Sequence, residues 1–162
     1  MPEPQRCTAA VLTVSDSSSK GEREDCSGRM VQATLEHHDF EVVQTEIVPD
    51  ERNQIEGALV RLASRAHLVV TTGGTGIAPR DVTPEATRAV CDRMIEGIAE
   101  RMRTEGAKKT PMAALSRAVC GIRGETLILN LPGSPKGACE SLEAVITILP
   151  HAIDLARGKT AH

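Results

Sequence analysis

Three aspartates stand out as residues that could hold a divalent metal. Asp16 and Asp50 come directly after predicted strands, and Asp81 follows a third strand beyond a glycine-rich loop. Taken singly, Asp16 has an ordinary explanation as a turn residue and Asp50 as a helix cap, whereas the helix start at Thr83 does not explain Asp81. Taken together, carboxylates near a phosphate-binding loop are oxygen ligands of the kind that Mg²⁺ prefers. This combination favours nucleotidyl transfer, in which a metal offsets the charge on the phosphates.

The glycine-rich loop consists of Gly73, Gly74, Thr75 and Gly76 and ends the third predicted strand. Glycine lets the backbone amides approach a ligand closely because no Cβ atom intervenes. The loop matches neither the Gly-x-Gly-x-x-Gly pattern nor the P-loop pattern. A tight turn between a strand and a helix explains the same residues. The local sequence therefore leaves nucleotide binding and a purely structural turn as open alternatives.

Two further segments are typical of helix starts. Thr83-Pro84-Glu85 suggests Thr83 as an N-cap and needs no functional explanation. Ser134-Pro135 also begins a predicted helix, but Lys136 in its first turn opposes the helix dipole. An anion bound at that N-terminus would relieve the conflict. We therefore expect an anion site near Ser134.

The elements that position these residues alternate between strands and helices. The predicted strands are residues 8–14, 40–48 and 67–72, with a hairpin formed by 118–122 and 125–130. The predicted helices are residues 29–39, 51–66, 84–105, a segment around 142–149 and a last one near Pro150. Nearly continuous apolar strands alternating with helices indicate an α/β domain with a mostly parallel sheet. Ligands of such sheets bind at the carboxyl ends of the strands.

Composition excludes several classes of protein. The net charge is −3, Phe40 is the single aromatic residue, and Trp and Tyr are absent, which argues against nucleic acid as a partner. The chain has no apolar run of about 18 residues and no secretory signal. We therefore expect no membrane association and a cytoplasmic location. The five cysteines form no Cys-x-x-Cys pair, so we expect reduced thiols and no zinc knuckle.

Five blocks of sequence, in order along the chain, carry a resemblance to a known family. They are Val14-Ser15-Asp16-Ser17, Gly73-Gly74-Thr75-Gly76, Arg80-Asp81-Val82-Thr83-Pro84-Glu85-Ala86-Thr87, Leu115-Ser116-Arg117-Ala118 and Leu131-Pro132-Gly133-Ser134-Pro135-Lys136. Together they resemble the molybdenum cofactor biosynthesis proteins of the MogA/MoaB type, whose domain also occurs in gephyrin. The resemblance covers residues 8–158 and leaves 1–7 and 159–162 as short tails. It implies a three-layer α/β/α sandwich with a mostly parallel central sheet, generally assembled as a homotrimer.

The resemblance also implies an activity. Members act as molybdopterin adenylyltransferases, which transfer AMP from Mg-ATP to the terminal phosphate of molybdopterin and release pyrophosphate. The product then passes to a separate molybdate-insertion activity. The roles implied are Mg²⁺ binding and catalysis for Asp50 and Asp81, nucleotide binding for Asp16, Gly73, Gly74, Thr75 and Gly76, and molybdopterin binding for Ser116, Arg117, Ser134 and Lys136.

Two alternatives compete with this function. Some members of the family lack the acidic positions, so a non-catalytic molybdopterin carrier is the first alternative. The chain retains both Asp50 and Asp81, which favours an active enzyme. The second alternative, a nicotinamide-dependent oxidoreductase, is disfavoured because the Gly-x-Gly-x-x-Gly pattern and the ribose-binding acid are absent.

Overall fold

Six strands form one sheet in the computed structural model, which describes residues 5–159. The strands are β1 (Thr8–Val14), β2 (Glu41–Val48), β3 (Leu68–Thr72), β4 (Arg93–Met94), β5 (Cys120–Arg123) and β6 (Thr126–Leu131). Their spatial order is β2-β1-β3-β6-β5-β4. The first four strands in this order pair in parallel, whereas β5 is antiparallel to both of its neighbours. The predicted mostly parallel sheet is confirmed. Of the predicted tails, residues 1–4 and 160–162 lie outside the described residues.

Helices cover both faces of the sheet. They are α1 (Asp16–Ser19), α2 (Cys26–His37), α3 (Arg52–Ala63), α4 (Thr83–Val90), α5 (Glu96–Ala107), α6 (Pro135–Val145) and α7 (Leu149–Ala156), with a 3₁₀ turn at Pro111–Leu115. Helices α3 and α4 pack on one face, and α2, α5, α6 and α7 pack on the other. The three-layer α/β/α sandwich is therefore confirmed. Within residues 5–159, none of the helices has the length and apolar character that crossing a bilayer requires.

Two apolar cores lie on the two faces of the sheet. Successive residues of β1 alternate between them: Ala9 and Val11 join the core under α2 and α6, and Ala10 and Leu12 join the core under α3. All four are essentially inaccessible to solvent. A strand that is buried on both faces has a continuous apolar sequence, which explains why the sequence located β1 and β3 correctly.

Residues 84–105 are mostly helical, as predicted, but they form two helices with an interruption at residues 91–95. Helix α4 ends at Val90, and the short edge strand β4 separates it from α5. The backbone N–H of Asp92 donates to the carbonyl of Ile122 at 2.7 Å, and that of Ile95 donates to the carbonyl of Cys120 at 2.8 Å. Pairing with β5 therefore replaces helical hydrogen bonds here. Local periodicity cannot detect a partner some 30 residues away.

Two local predictions near helix starts are wrong. The helix predicted to begin at residue 29 begins at Cys26 as α2, and the short helix α1 precedes it. Helix α2 begins early because Asp25 accepts a hydrogen bond from the N–H of Gly28 at 2.9 Å. Thr83 is not an N-cap, since it lies inside α4 and its hydroxyl donates to the carbonyl of Gly73 at 3.0 Å. The predicted hairpin is confirmed, and Gly124 supplies its positive φ of 59°.

Candidate active site

A cleft of about 530 Å³ opens at the carboxyl ends of β1 and β3. The chain leaves β1 toward β2 on one side of the sheet, whereas β3 pairs on the other side of β1. This reversal of strand order is the usual position of a ligand site in an open α/β sheet. The residues that shape the cleft include Val14, Ser15, Cys26, Ser27, Asp50, Gly73, Gly74, Asp81, Gly133 and Ser134. We call it the first cleft.

Asp16 and Asp50 tie the ends of β1 and β2 together. The backbone N–H of Asp16 donates to the Asp50 carboxylate, and the N–H of Asp50 donates to the Asp16 carboxylate, both at 3.0 Å. Asp16 also accepts two hydrogen bonds from Arg80, from Nε at 2.7 Å and from Nη2 at 2.9 Å. Arg80 is the main cause that lowers the pKa of Asp16 to about 2. The carboxylate of Asp16 is thus ionised and engaged by the protein, and it does not line the cleft.

The pKa of Asp50 is shifted in the direction opposite to that of Asp16. Partial burial is the main cause that raises the pKa of its carboxyl group, and the negative charges of Asp16 and Asp81 raise it further. The N–H of Asp16 opposes these effects. Asp50 does not cap α3, whose N-cap residue is Glu51. Its carboxylate therefore lies in an acidic cleft where a bound cation would stabilise the ionised form.

The glycine loop has a backbone that only glycine adopts without strain. Gly73 and Gly74 have φ angles of 98° and 69°. A Cβ atom on Gly73 would lie 2.2 Å from the carbonyl oxygen of Val14, and one on Gly74 would lie 2.3 Å from Oγ1 of Thr83. The N–H of Gly73 donates to the carbonyl of Leu131, so that amide serves the fold. Among residues 5–159, the N–H groups of Gly74, Thr75 and Gly76 have no protein acceptor, but only Gly74 of these three lines the first cleft.

Asp81 closes a turn that follows the glycine loop. Its Oδ2 accepts a hydrogen bond from the N–H of Ala78 at 3.0 Å. Its backbone carbonyl accepts one from Nη2 of Arg117 at 2.6 Å. The carboxylate therefore has a defined direction, set by the turn, and it faces the first cleft together with Asp50.

A second cleft, of about 400 Å³, lies between α5, the 3₁₀ turn and α6. Ser116 and Ser134 both line it, and Ser134 lines the first cleft as well. The hydroxyl of Ser134 accepts a hydrogen bond from the N–H of Gly137 at 3.2 Å and caps α6, as predicted for this helix start. Lys136 lies outside both clefts, with its side chain 87% exposed and its amine 4.0 Å from Glu140.

The side chain of Arg117, predicted to contact the pterin, donates hydrogen bonds to groups of the protein itself. Its Nε donates to the carbonyl of Gly76 at 2.7 Å, and its Nη1 donates to both carboxylate oxygens of Glu85 at 3.0 and 2.9 Å. Together with the contact to Asp81, every guanidinium nitrogen has an acceptor within the protein. The pterin contact of Arg117 stays a prediction, whereas its contact with the loop is part of the structure.

Sequence reasoning did not single out the residues that support the site. Arg80 joins Asp16 to Glu51, with an Nη2 to Glu51 distance of 3.0 Å. The start of α2 also forms one wall of the first cleft, where the hydroxyls of Ser27 and Thr72 lie 2.8 Å apart. Asp25, a residue type favoured at N-caps, was a usable helix-start signal. The Arg80 contacts left no such signal because they join residues far apart in sequence.

The acidic residues suit a metal that is bound mainly by phosphate and water. Within residues 5–159, no three His, Cys, Asp or Glu side chains come together as a metal site. Mg²⁺ commonly takes only one or two carboxylates from the protein and completes its coordination with phosphate oxygens and water. Asp50 and Asp81 fit that pattern, since they share the first cleft and the charge of Asp81 disfavours the ionised form of Asp50.

An α/β/α sandwich with a carboxylate- and glycine-lined cleft at the strand ends defines a class of proteins that bind phosphate-bearing ligands. Residues 10–151 match a family whose description is "probable molybdopterin binding domain". The match covers most of the chain, and the protein belongs to this family. The resemblance seen in the sequence blocks is thereby confirmed.

Individual relatives agree with this assignment. The chain is 47% identical over 152 residues to molybdopterin adenylyltransferase of Helicobacter pylori strain J99, covering 91% of this chain and 86% of that protein. It is 39% identical over 160 residues to gephyrin of Dictyostelium discoideum, covering 92% of this chain but 22% of that protein. The crystal structure of the molybdopterin biosynthesis enzyme MoaB from Thermus thermophilus is 55% identical, with a TM-score of 0.89 and coverage of 94% and 98% of the two chains.

Proposed function

We propose that this protein is a molybdopterin adenylyltransferase, which transfers AMP from Mg-ATP to the terminal phosphate of molybdopterin and releases pyrophosphate. The observation that carries the proposal is the position of Asp50 and Asp81 beside Gly74 in one cleft. The proposal is supported by the 47% identity to an enzyme with this name from Helicobacter pylori.

The residues of the first cleft supply positioning and charge. An oxygen of the terminal phosphate of molybdopterin attacks the α-phosphorus of ATP as the bond to the leaving pyrophosphate breaks. The attacking phosphate is already an anion, so the chain needs no general base. The N–H group of Gly74 is available to donate to a phosphate oxygen in this cleft, and Asp50 and Asp81 would hold the metal. Mg²⁺, when bound, offsets the negative charge on the phosphates. Alignment of two bound substrates supplies the rest of the acceleration.

The two clefts suggest a division of the substrates. In this proposal the nucleotide phosphates lie in the first cleft, and molybdopterin lies in the second cleft against Ser116 and Ser134. The lining of the second cleft is more apolar than that of the first, which suits a pterin ring. Ser134 lines both clefts and would lie where the two substrates meet. Lys136 can reach an anion at the start of α6 because its amine is exposed and only loosely paired.

A direct test measures pyrophosphate release from Mg-ATP with freshly prepared molybdopterin, and identifies the pterin product by mass spectrometry. We expect adenylyl-molybdopterin from the wild-type protein and none from Asp50→Ala or Asp81→Ala. Arg61→Gln serves as a matched control because Arg61 of α3 pairs with Glu46 of β2, away from both clefts. Pterin binding without pyrophosphate release would instead support the carrier alternative.

Three further features complete the proposal. We expect a homotrimer, which size-exclusion chromatography with light scattering tests, using refractive index because Trp and Tyr are absent. We expect the product to pass to a separate molybdate-insertion protein. A cytoplasmic location is supported by the five cysteines, which are all unpaired in the structure.

A further inference from the structure

The loop that carries Asp81 is closed at its base by Thr83, which donates to the carbonyls of Gly73 and Gly74, and is held beyond its base by two arginines. Residues 73–82 contain neither helix nor strand, and Ile77 at its tip is 69% exposed. On the side of α1, Arg80 attaches the loop to Asp16 and Glu51. On the side of β5, the attachment is Arg117. The turn at Ala78 directs the Asp81 carboxylate, and two arginines at opposite sides of the exposed loop hold that turn against the rest of the protein.

Arg117 contacts the loop on both sides of its exposed tip, at Gly76 and at Asp81. Its backbone N–H donates to the carbonyl of Thr75 at 2.8 Å, and its Nε donates to the carbonyl of Gly76. Its Nη2 donates to the carbonyl of Asp81, which follows the exposed tip at Ile77. The remaining guanidinium nitrogen, Nη1, donates to the carboxylate of Glu85 in the first turn of α4. One planar side chain thus fixes the distance between the free amides of the loop and Asp81.

The same segment of chain also lines the second cleft. Ser116 immediately precedes Arg117, and its hydroxyl accepts a hydrogen bond from the N–H of Ala118 at 3.3 Å. Arg103 of α5 supports this segment by donating to the carbonyl of Ala118 at 2.9 Å. The backbone from Ser116 to Ala118 is therefore anchored to the wall of the second cleft, while the side chain between them reaches the loop of the first.

We propose that Arg117 is a positioning residue that fixes Asp81 and the glycine loop relative to Ser116, and so aligns the contents of the two clefts. This inference rests on the proposed adenylyl transfer for its kinetic consequences. It requires no substrate contact by Arg117, because each nitrogen of its guanidinium already has a protein acceptor. A lysine cannot reproduce this arrangement, since one ammonium group cannot span three separate acceptors in a plane.

The kinetic test compares Arg117→Gln, Arg117→Lys and Glu85→Gln with the wild type and with the control Arg61→Gln. We expect Arg117→Gln to lower kcat about 10- to 100-fold and to raise the Mg²⁺ concentration needed for half-maximal rate. The dissociation constant for molybdopterin, measured without ATP, should stay within about twofold. Arg117→Lys should recover only part of the loss. Glu85→Gln should give a smaller loss of the same kind, and adding it to Arg117→Gln should change little further.

A second test needs no substrate and separates this inference from the proposed function. Hydrogen exchange of the hydrogen-bonded amides of Ala78, Asp81 and Thr83 in the protein alone should be faster in Arg117→Gln, while exchange in β1 and β3 stays as in the wild type. Unchanged exchange together with a tenfold weaker affinity for molybdopterin would overturn the inference and make Arg117 a direct substrate contact. Faster exchange in a protein whose wild type forms no adenylyl product would support the positioning role and refute the proposed function.

Discussion

The carboxylates of Asp16 and Asp50 accept hydrogen bonds from each other's backbone N–H groups, both at 3.0 Å, yet the pKa values of the two carboxyl groups are shifted in opposite directions. The pKa of Asp16 falls to about 2 because Arg80 donates to it, and that of Asp50 rises because burial and two neighbouring carboxylates disfavour its charge. The pair joins the ends of β1 and β2 and presents only one of its two charges to the first cleft. We infer that Asp16 supports the site and that Asp50 acts in it.

Asp50→Asn should abolish activity without destabilising the fold. The folded-state pKa of Asp50 lies above its usual value of 3.8, so the group favours the folded state below that value and this contribution is lost as the pH rises. At neutral pH the ionised carboxylate is therefore unfavourable, and an amide removes that penalty while its oxygen can still accept from Asp16. We expect pyrophosphate release to fall at least about 100-fold, and the urea midpoint to stay or rise. A clearly lower midpoint would contradict this view of Asp50.

Asp16→Asn should have the opposite effect on stability. The folded-state pKa of Asp16 lies below 3.8, so its contribution to stability is present above that value and is lost as the pH falls toward about 2. The urea midpoint of the variant should be lower than that of the wild type at about pH 6. The difference should shrink between about pH 4 and pH 2. Arg80→Gln should behave alike, and the double variant should add little, because both remove the same pair.

Gly73→Ala should destabilise the protein by more than about 2 kcal/mol. A Cβ atom there would lie 2.2 Å from the carbonyl oxygen of Val14, and the φ of 98° is unfavourable for alanine. Gly57→Ala is the matched control, since Gly57 lies inside α3 and its Cβ would meet only the flexible end of Arg61, at 3.4 Å. That control should gain about 0.5–1 kcal/mol from helix propensity. Urea unfolding measures both, and equal effects would show that the loop tolerates a side chain.

The sequence located the central strands well because a strand buried on both faces is a continuous apolar run, which is visible in the local sequence. Residues 8–14 match β1 without adjustment, and the glycine loop follows β3 as expected. The break between α4 and α5 escaped detection because β4 exists only through its pairing with β5. Gly121 permits that pairing, since a Cβ atom there would lie 2.7 Å from the sulfur of Cys91. No property of residues 91–95 alone indicates that partner.

The candidate site could be predicted as a set of residues but not as an arrangement. Asp50 and Asp81 do share one cleft with Gly73 and Gly74, as their places after strands suggested, whereas Thr75 and Gly76 do not line it. The contacts of Arg80 with Asp16 and of Arg117 with Gly76 join residues 64 and 41 positions apart. Both arginines were compatible with ordinary surface or ligand roles, so their structural role depended on tertiary contacts that a single sequence does not record.

Ser134 offers a way to separate a helix cap from a substrate contact. Its hydroxyl caps α6, and the same residue lines both clefts. Ser134→Ala should lose about 1 kcal/mol of stability because the cap is lost. Ser134→Asp keeps a capping oxygen and adds a charge that suits a helix N-terminus, so its stability should match the wild type. The same charge repels phosphate groups, so the KM for both substrates should rise about tenfold or more.

Ser134→Thr completes this series by keeping both the cap and the neutral hydroxyl, and it should stay close to the wild type in stability and in KM. Urea midpoints and the rate of pyrophosphate release at low substrate concentration measure the two properties separately. Unchanged KM values in a stable Ser134→Asp protein would mean that no phosphate passes near Ser134. The substrates would then not meet at the shared wall of the two clefts, and the proposed division between them would have to be abandoned.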